Sequence, residues 1–271
     1  MASLLPVFRP VLRTLVRSSV AAPRFIAAKP RVFAASTRRF AAPSFANKEQ
    51  PRLRLGSDAP NFTVATTHGE LNFHDYIGNS WCILFSHPAD FTPVCTTELG
   101  AFAKMRPEFD ARNVKLIGLS ANGLEQHEKW VQDIDEVTGS KMHAGSDGSF
   151  PVIADETREV AWLYDMVEQS QIENLATAFT IRSVFIIDPA KKIRLIMTYP
   201  ASTGRNTAEV LRVVDSLQTA DKNGIATPVN WQVGEDVIVP PTVTTHDAKM
   251  KFGAENVKEL KPYLRYTSLK K

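Results

Sequence analysis

Hydrophobic and polar residues follow two periods along this chain, one typical of buried strands and one typical of amphipathic helices. The run Trp81–Phe85 is apolar throughout and short enough for a buried strand. After a polar turn that contains proline, apolar residues recur at helical spacing, at Leu99, Phe102, Ala103, Met105 and Phe109. Thr92 is a favourable N-cap residue, and Pro93 suits the first helical position, where a missing N–H costs nothing. This part of the chain therefore predicts a strand, a turn and a helix that begins near Pro93.

Strand and helix patterns continue to alternate as far as residue 221, which indicates an α/β fold. A hairpin is predicted near the N-terminus from Pro60–Val64 and Glu70–Phe73. Further strands are predicted at Val114–Ser120, Pro151–Ala154, Arg182–Ile187 and Ile193–Tyr199, and helices at Leu124–Val137, Thr157–Tyr164 and Thr207–Thr219. The last helix has a predicted buried stripe of Val210, Leu211, Val214 and Leu217. Turn-forming residues at Asp188–Lys192 predict that the last two strands form a hairpin.

Residues 222–271 differ from the preceding part of the chain in their hydrophobic pattern. Prolines interrupt this stretch, and its sequence predicts no long helix. Two short runs, Val229–Trp231 and Val237–Val239, are apolar enough to be buried. The pattern therefore predicts a domain over 49–221 and a separate C-terminal extension over 222–271.

The first 48 residues carry nine Lys or Arg residues and no acidic residue. Arg9, Arg13 and Arg17 recur every four residues, opposite a set of apolar positions, which predicts the basic face of an amphipathic helix. This is the pattern of a mitochondrial presequence, and Arg38 and Arg39 predict cleavage near residue 40. The alternative is a disordered basic tail that binds nucleic acid or an anionic membrane.

Removal of this leader changes the charge of the molecule. Of the 32 basic residues 23 remain after residue 48, against all 29 acidic residues, so the net charge is about −6. Bulk charge then gives no support to nucleic-acid binding. No apolar run reaches the roughly 18 residues of a membrane span, so none is predicted.

The chain has two cysteines, Cys82 and Cys95, and neither belongs to a Cys-x-x-Cys pair or a zinc-type cluster. Cys82 lies within the predicted strand, which favours a core position. Cys95 falls in the first turn of the predicted helix, where free backbone N–H groups and the helix dipole favour an anion. A thiol in this place should lose its proton more readily than a free thiol, so Cys95 is a candidate nucleophile. The alternative is a small buried apolar residue.

The pattern Pro88-x-x-x-Thr92-x-x-Cys95, within the longer run Phe91–Glu98, resembles the active-site signature of the peroxiredoxins. The preceding Phe85–Pro88 and the ending Tyr263–Thr267 resemble the one-cysteine (1-Cys) subgroup. No cysteine follows Cys95, so the resolving thiol of two-cysteine members is missing. The resemblance implies a thioredoxin-like α/β fold with peroxiredoxin extensions and a C-terminal arm that packs across a partner in a homodimer.

The same resemblance implies an activity. The protein is expected to be a thiol-specific peroxidase that reduces hydrogen peroxide and organic hydroperoxides through a sulfenic acid on Cys95. An external thiol, from glutathione or the thioredoxin system, is expected to recycle the enzyme, with no cofactor and no metal. With the leader, this indicates a mitochondrial enzyme, most simply of the matrix. The alternative function is a redox sensor or chaperone that is switched by oxidation of the same cysteine.

The resemblance also assigns roles to residues around Cys95. Arg182 matches the catalytic arginine, whose guanidinium can serve two acceptors, and the alternative for it is a surface ion pair. Thr92 is expected to face the thiolate and the peroxide as well as cap the helix, and Pro88 to shield the sulfur. Three residues are expected to support the site: His87 through a hydrogen bond to the thiol, Glu98 near the helix start, and Arg205 beside the pocket.

Overall fold

A mixed sheet of seven strands lies at the centre of the computed structural model, which describes residues 49–269. Its strands are β1 (Thr63–Thr66), β2 (Gly69–Asn72), β3 (Trp81–Ser86), β4 (Val114–Ser120), β5 (Val152–Ala154), β6 (Arg182–Ile187) and β7 (Ile193–Tyr199). The helices beside it are α1 (Phe73–Ile77), α2 (Pro93–Lys104), α3 (Arg106–Asp110), α4 (Leu124–Thr138), α5 (Glu159–Leu163) and α6 (Thr207–Asn223). The predicted leader lies outside the described residues.

The strand order is β2-β1-β5-β4-β3-β6-β7, so β3 is an interior strand. It pairs in parallel with β4 and antiparallel with β6, and all six of its residues are buried. A strand that is covered on both faces reads as a continuous apolar run, which explains the pattern of Trp81–Phe85. Because β3 and β6 are antiparallel, the end of β3 and the start of β6 lie at the same edge of the sheet. That edge carries the candidate site.

Alternate residues of β3 enter two different cores, one on each face of the sheet. Ile83 and Phe85 belong to the core that α2, α4 and α6 cover, together with Phe102 and Trp130. Cys82 and Leu84 belong to the opposite core, with residues of α1 and α5 such as Phe73 and Val160. The two cysteines therefore lie on opposite faces, since Cys95 is part of the first core.

Most predicted elements are present, and the differences have local causes. The helix predicted through Phe109 divides at Met105 into α2 and α3, because Pro107 has no N–H to continue the helical ladder. α5 begins at Glu159 instead of Thr157, after Arg158 in a left-handed conformation (φ 62°). The predicted stripe of α6 is partly wrong, since Val213 is buried whereas Leu211 and Leu217 are only partly buried.

The C-terminal part contains more regular structure than its sequence predicts. It holds β8 (Val237–Ile238), α7 (Thr245–Phe252), β9 (Val257–Lys261) and β10 (Leu264–Thr267), and the three strands form a small antiparallel sheet. Trp231 and Val237 are buried as expected, but Val229 is 87% exposed, so that part of the prediction is wrong. The predicted boundary at 221/222 falls inside α6 and stays a prediction. No helix within 49–269 is both long and apolar enough to cross a membrane.

Candidate active site

Cys95 lies in the first turn of α2, and its side chain has no exposed surface. The helix begins as expected at Pro93, with Thr92 in an extended conformation at the N-cap position. The expected side-chain cap is wrong, because the Thr92 hydroxyl donates to the carbonyl of Ala89 at 2.9 Å. The backbone carbonyl of Thr92 accepts from the Thr96 N–H at 3.0 Å. Cys95 therefore lies in a first helical turn whose backbone N–H groups receive no side-chain cap.

Arg182 reaches Cys95 from the first residue of β6. Its Nη1 lies 3.3 Å from the Cys95 sulfur and also donates to Glu98 Oε2 at 2.6 Å. Its Nε and Nη2 both donate to the carbonyl of Ala201, at 3.1 and 2.9 Å. Arg182 is only 3% exposed, so the alternative of a surface ion pair is wrong. The guanidinium is held from two sides and directs one edge at the sulfur.

Glu98 joins Arg182 to Arg205. Its Oε1 accepts from the backbone N–H and Nε of Arg205 at 2.7 and 3.0 Å, and its Oε2 accepts from Nη2 at 2.8 Å. Burial raises the pKa of Glu98, but the charge and hydrogen bonds of Arg205, with the charge of Arg182, outweigh it and lower the pKa below its ordinary value. Glu98 therefore acts beside Cys95 through Arg182 and Arg205, and not through the N–H groups of the helix start. Two guanidinium groups share one carboxylate, so the cluster beside Cys95 keeps one net positive charge.

Arg205 lies under the site, as the resemblance implies. Its Nη1 donates to the carbonyl groups of Ser86 and Ser183, at 2.7 and 3.1 Å. These carbonyls belong to the end of β3 and the start of β6. Arg205 therefore ties both strands to Glu98 on α2, and it holds the edge of the sheet against the helix that carries Cys95.

His87 follows β3 directly, and its side chain has a different partner from the expected one. Its Nε2 lies 2.8 Å from Asp90 Oδ1, and its Nδ1 has no hydrogen-bond partner. The expected hydrogen bond to the thiol is therefore not formed. Burial lowers the pKa of His87, although the hydrogen bond with Asp90 acts in the opposite direction. Pro88 comes next in the same turn and is half-buried.

Sequence reasoning missed Asp90 and His127, which complete a buried cluster with His87. Asp90 Oδ2 lies 2.6 Å from Nδ1 of His127. Of the residues from 49 to 269, these three form the one group whose side chains have a spacing suited to a metal ion. Each carboxylate oxygen of Asp90, however, lies within 2.8 Å of a histidine ring nitrogen, which is a hydrogen-bond distance. Asp90 therefore joins His87 and His127 in a hydrogen-bonded cluster.

A surface groove of about 510 Å³ passes beside the turn that carries Cys95. Phe91, Thr92, Thr96 and Trp130 contribute to its wall. Phe91 is 51% exposed, has a left-handed backbone (φ 55°), and its ring lies 6.4 Å from that of Trp130. The groove brings solvent to Thr92, three residues before the buried sulfur.

Comparisons with known proteins agree with this geometry. The chain matches the AhpC/TSA family over residues 55–196 and the C-terminal domain of 1-Cys peroxiredoxin over residues 216–254. Peroxiredoxin PRX1, mitochondrial, of Saccharomyces cerevisiae is 59% identical over 228 residues, which are 83% of this chain and 85% of that protein. Peroxiredoxin-6 of Rattus norvegicus is 50% identical over 219 residues, which are 79% of this chain and 97% of that protein.

Two solved structures extend the similarity to the fold. A yeast mitochondrial 1-Cys peroxiredoxin, studied for thiol resolution via glutathione/thioredoxin systems, has 56% identity and a TM-score of 0.72, with 80% of this chain and 100% of that chain covered. A cysteine-to-serine mutant of peroxiredoxin 6 of Arenicola marina has 44% identity and a TM-score of 0.74, with 81% and 100% covered. Site, fold and sequence agree, and the chain belongs to the 1-Cys peroxiredoxins of the AhpC/TSA family, which are thiol-dependent peroxidases with a thioredoxin-like fold.

Proposed function

We propose that Cys95 is the peroxidatic nucleophile of this enzyme and that Arg182 is its catalytic partner. The observation that carries the proposal is the 3.3 Å contact between Arg182 Nη1 and the Cys95 sulfur, inside a buried site at a helix start. The family supports a peroxidase and does not favour the alternative of a redox sensor or chaperone.

The reaction follows from the atoms that surround the sulfur. The Cys95 thiolate supplies an electron pair to one peroxide oxygen, so that an S–O bond forms while the O–O bond breaks. The sulfur is oxidised to a sulfenic acid, and the departing oxygen takes a proton and leaves as water or an alcohol. Negative charge grows on that oxygen, where the net positive charge of the Arg182, Glu98 and Arg205 cluster stabilises it.

Thr92 and Pro88 are proposed to shape the place where the peroxide binds. The Thr92 hydroxyl donates its hydrogen bond to the Ala89 carbonyl. Its oxygen lone pairs therefore stay available to accept a hydrogen bond from a peroxide O–H. Pro88 offers no backbone N–H and is half-buried in the turn before the helix, which suits a role in shielding the sulfur. The groove beside Thr92 is the proposed path for hydrogen peroxide and small organic hydroperoxides.

Recycling is proposed to need an external thiol. Cys82 lies in the core on the other face of the sheet with no exposed surface, and burial raises its pKa strongly. It therefore cannot reach the Cys95 sulfenic acid while the protein is folded. A thiol from outside attacks the sulfenic sulfur, forms a mixed disulfide and releases water. Glutathione and the thioredoxin system are the proposed sources, by similarity to the yeast 1-Cys peroxiredoxin.

The segments before and after the peroxidase domain are the basis for a proposed cellular localisation and a proposed assembly. The acid-free basic segment 1–48 and the similarity to a mitochondrial yeast peroxiredoxin support a presequence, cleavage near residue 40 and a place in the mitochondrial matrix. We propose a peroxidase domain over 49–221 and a C-terminal arm over 222–271 that packs across the partner of a homodimer. The family match over residues 216–254 supports the arm.

A pair of cysteine variants tests the assignment. Cys95→Ser should abolish peroxide consumption, whereas Cys82→Ser should largely keep it, because only Cys95 lies beside Arg182. The measurement is steady-state peroxide consumption with the glutathione and thioredoxin systems supplied separately, which also identifies the reductant. Loss of turnover in a folded Cys82→Ser protein would mean that Cys82 takes part in recycling.

A further inference from the structure

The indole N–H of Trp130 reaches from α4 into the first turn of α2, and the chemistry above makes no use of it. Its Nε1 lies 3.1 Å from the hydroxyl oxygen of Thr96, the residue directly after Cys95. Trp130 is only 1% exposed, so loss of this bond would leave a buried donor without a partner. The contact therefore joins α4 to the chain one residue away from the reacting sulfur.

The chemistry of the donors decides the direction of these hydrogen bonds. An indole nitrogen only donates, whereas a hydroxyl has one proton and two lone pairs. Thr96 therefore accepts from Trp130 and gives its own proton to another acceptor, the backbone carbonyl of Thr92 at 2.8 Å. The same carbonyl accepts the backbone N–H of Thr96 at 3.0 Å. The bonds thus form a relay in one direction, from Trp130 to Thr96 to Thr92.

α4 is a fixed support for this relay, because it packs on α2 at a second point. Gly100 of α2 faces Thr138 of α4, and a Cβ at Gly100 would overlap the Thr138 side chain. Trp130 and Thr138 are about two turns apart on α4, while Thr96 and Gly100 are about one turn apart on α2. α2 is therefore held against α4 at its first turn and again one turn later.

Thr92 is the residue that the relay holds in place. Its backbone is extended at the N-cap position (φ −113°, ψ 144°), and its hydroxyl donates to the carbonyl of Ala89 at 2.9 Å. A fixed carbonyl fixes the whole peptide plane, because the peptide bond does not rotate freely. The side chain of Thr92 extends from the Cα at the edge of that plane. The two bonds from Thr96 therefore limit where the Thr92 hydroxyl lies relative to Cys95.

We propose that Trp130 and Thr96 are positioning residues that hold Thr92, and with it the place where the hydroperoxide binds, beside the Cys95 sulfur. This inference rests on the proposed roles of Cys95 and Thr92. Trp130 orients the Thr96 hydroxyl, the Thr96 hydroxyl and N–H hold the Thr92 carbonyl, and both residues act on the reaction through Thr92. A displacement of about 1 Å at a reacting centre can cost about 10²-fold in rate, so the relay should show itself in the kinetics of oxidation.

Two neighbouring threonines provide a matched pair of variants. The Thr97 hydroxyl also bonds back to a carbonyl, that of Val94 at 2.7 Å, but the indole of Trp130 donates to Thr96 alone of the two. Thr96→Val should oxidise Cys95 about tenfold more slowly than Thr97→Val, because valine keeps the shape and removes the hydroxyl. Thr96→Ser keeps the hydroxyl and should restore the wild-type rate. Trp130→Phe should slow the wild type more than it slows the Thr96→Val protein, and the threonine variants decide if it fails to fold.

Alkylation of Cys95 by iodoacetamide separates positioning from a general loss of reactivity. Measured in a Cys82→Ser background, it uses the same sulfur nucleophile, but iodoacetamide has no O–H for Thr92 to accept. We expect Thr96→Val to be slower than Thr97→Val in the second-order oxidation by hydrogen peroxide and no slower in alkylation. Equal oxidation rates in the two valine variants, or an equal loss in both reactions, would overturn the proposal. An active Cys95→Ser variant would instead refute the proposed function.

Discussion

At the scale of single residues, Arg182 combines charge and direction in a way that no other side chain can reproduce. Nη1 serves Cys95 and Glu98, while Nε and Nη2 bind the Ala201 carbonyl. A lysine keeps the charge but has no planar fork to hold all of these acceptors at once. We therefore expect Arg182→Lys to slow Cys95 oxidation and Arg182→Gln to slow it more, by about 10²–10³-fold. The measurement is the second-order rate of sulfenic acid formation by stopped flow, across a range of pH.

Measurement across a range of pH separates two effects of the Arg182 charge, one on the ionisation of the Cys95 thiol and one on the stability of the transition state. A lower degree of thiol ionisation can account only for a deficit that disappears as the pH rises, so a deficit that remains at alkaline pH reports lost stabilisation of the transition state. Arg106→Gln is a matched control, because Arg106 is held by Asp110 on α3 and by the Ser149 carbonyl and not by the residues around Cys95. If Arg182→Gln reacts at the wild-type rate throughout, Arg182 has no part in the chemistry.

Residue patterns alone predicted the part of the site whose role is local, whereas the partners that are far apart in sequence came only from the family resemblance, as Arg182 and Arg205 did, or were missed, as Asp90 and His127 were. Cys95 could be placed at a helix start because Thr92 and Pro93 mark that start within the same motif. Glu98 stands in the motif as well, but its partners Arg182 and Arg205 are 84 and 107 positions away. An ion pair over such a separation leaves no period in the sequence. His127 did leave a signal: it shares the buried face of α4, and a polar residue there requires partners.

At the scale of elements, α5 begins on a carboxylate that titrates near neutral pH. Asp155 accepts from the backbone N–H groups of Val160 and Ala161, at 3.2 and 2.7 Å. Burial raises the pKa of Asp155 to about 7, although these hydrogen bonds and the charge of Arg158 act against it. In the unfolded chain the group titrates near its ordinary 3.8. Between the two values the folded protein binds the extra proton, so this contribution to stability grows as the pH falls and is lost as the pH rises through 7.

The Asp155→Asn variant isolates this contribution, because asparagine does not titrate. We expect the free energy of unfolding of the wild type, measured in urea, to rise relative to that of the variant from about pH 8 to about pH 5. The slope has an upper limit of about 1.4 kcal/mol per pH unit. A constant difference between the two proteins would show that Asp155 does not change protonation on folding.

Asp135→Asn in a His143→Gln protein is the matched control for that experiment, because His143 lies 2.7 Å from Asp135 and histidine is the residue type that changes charge in this pH range. Asp135 also accepts two backbone N–H groups, those of Met142 and His143. Burial raises its pKa, but these hydrogen bonds outweigh burial, so the pKa lies below the ordinary value. Its contribution is present above the unfolded value of 3.8 and disappears only below it, so the same pH range should leave the difference flat.

Elements whose pattern is decided by burial on the sheet could be predicted closely. The strands β4, β6 and β7 begin and end where their apolar runs do. Helix boundaries that depend on the backbone of a single residue could not be predicted. Examples are the break between α2 and α3 before Pro107 and the start of α5 after the left-handed Arg158. Val229 was misjudged because a short apolar run shows that burial is possible, whereas the path of the chain decides which side chain is buried.

At the scale of the whole molecule, the residues proposed for the chemistry and the proposed import signal lie in different parts of the chain. Every residue proposed for the site lies between Pro88 and Arg205, apart from His87 directly before it. Nine basic residues and no acidic residue lie in 1–48, and they account for the difference between the formal charge of +3 for the full chain and about −6 for the rest. The match to the AhpC/TSA family begins at residue 55, after the segment proposed as the leader. The two functions should therefore be separable by truncation.

We expect a chain that begins at residue 41 to fold and to consume peroxide at the wild-type rate, but to be absent from mitochondria. Import into isolated mitochondria, read as protection from added protease, measures the second part. The basic face should carry the signal, because an import helix depends on its positive charges. Full-length protein with Arg9, Arg13 and Arg17 replaced by glutamine should then fail to enter, whereas replacement by lysine at the same positions keeps the charge and should preserve entry. Import of the truncated chain, or equal import of the glutamine and lysine variants, would show that the address lies elsewhere in the protein.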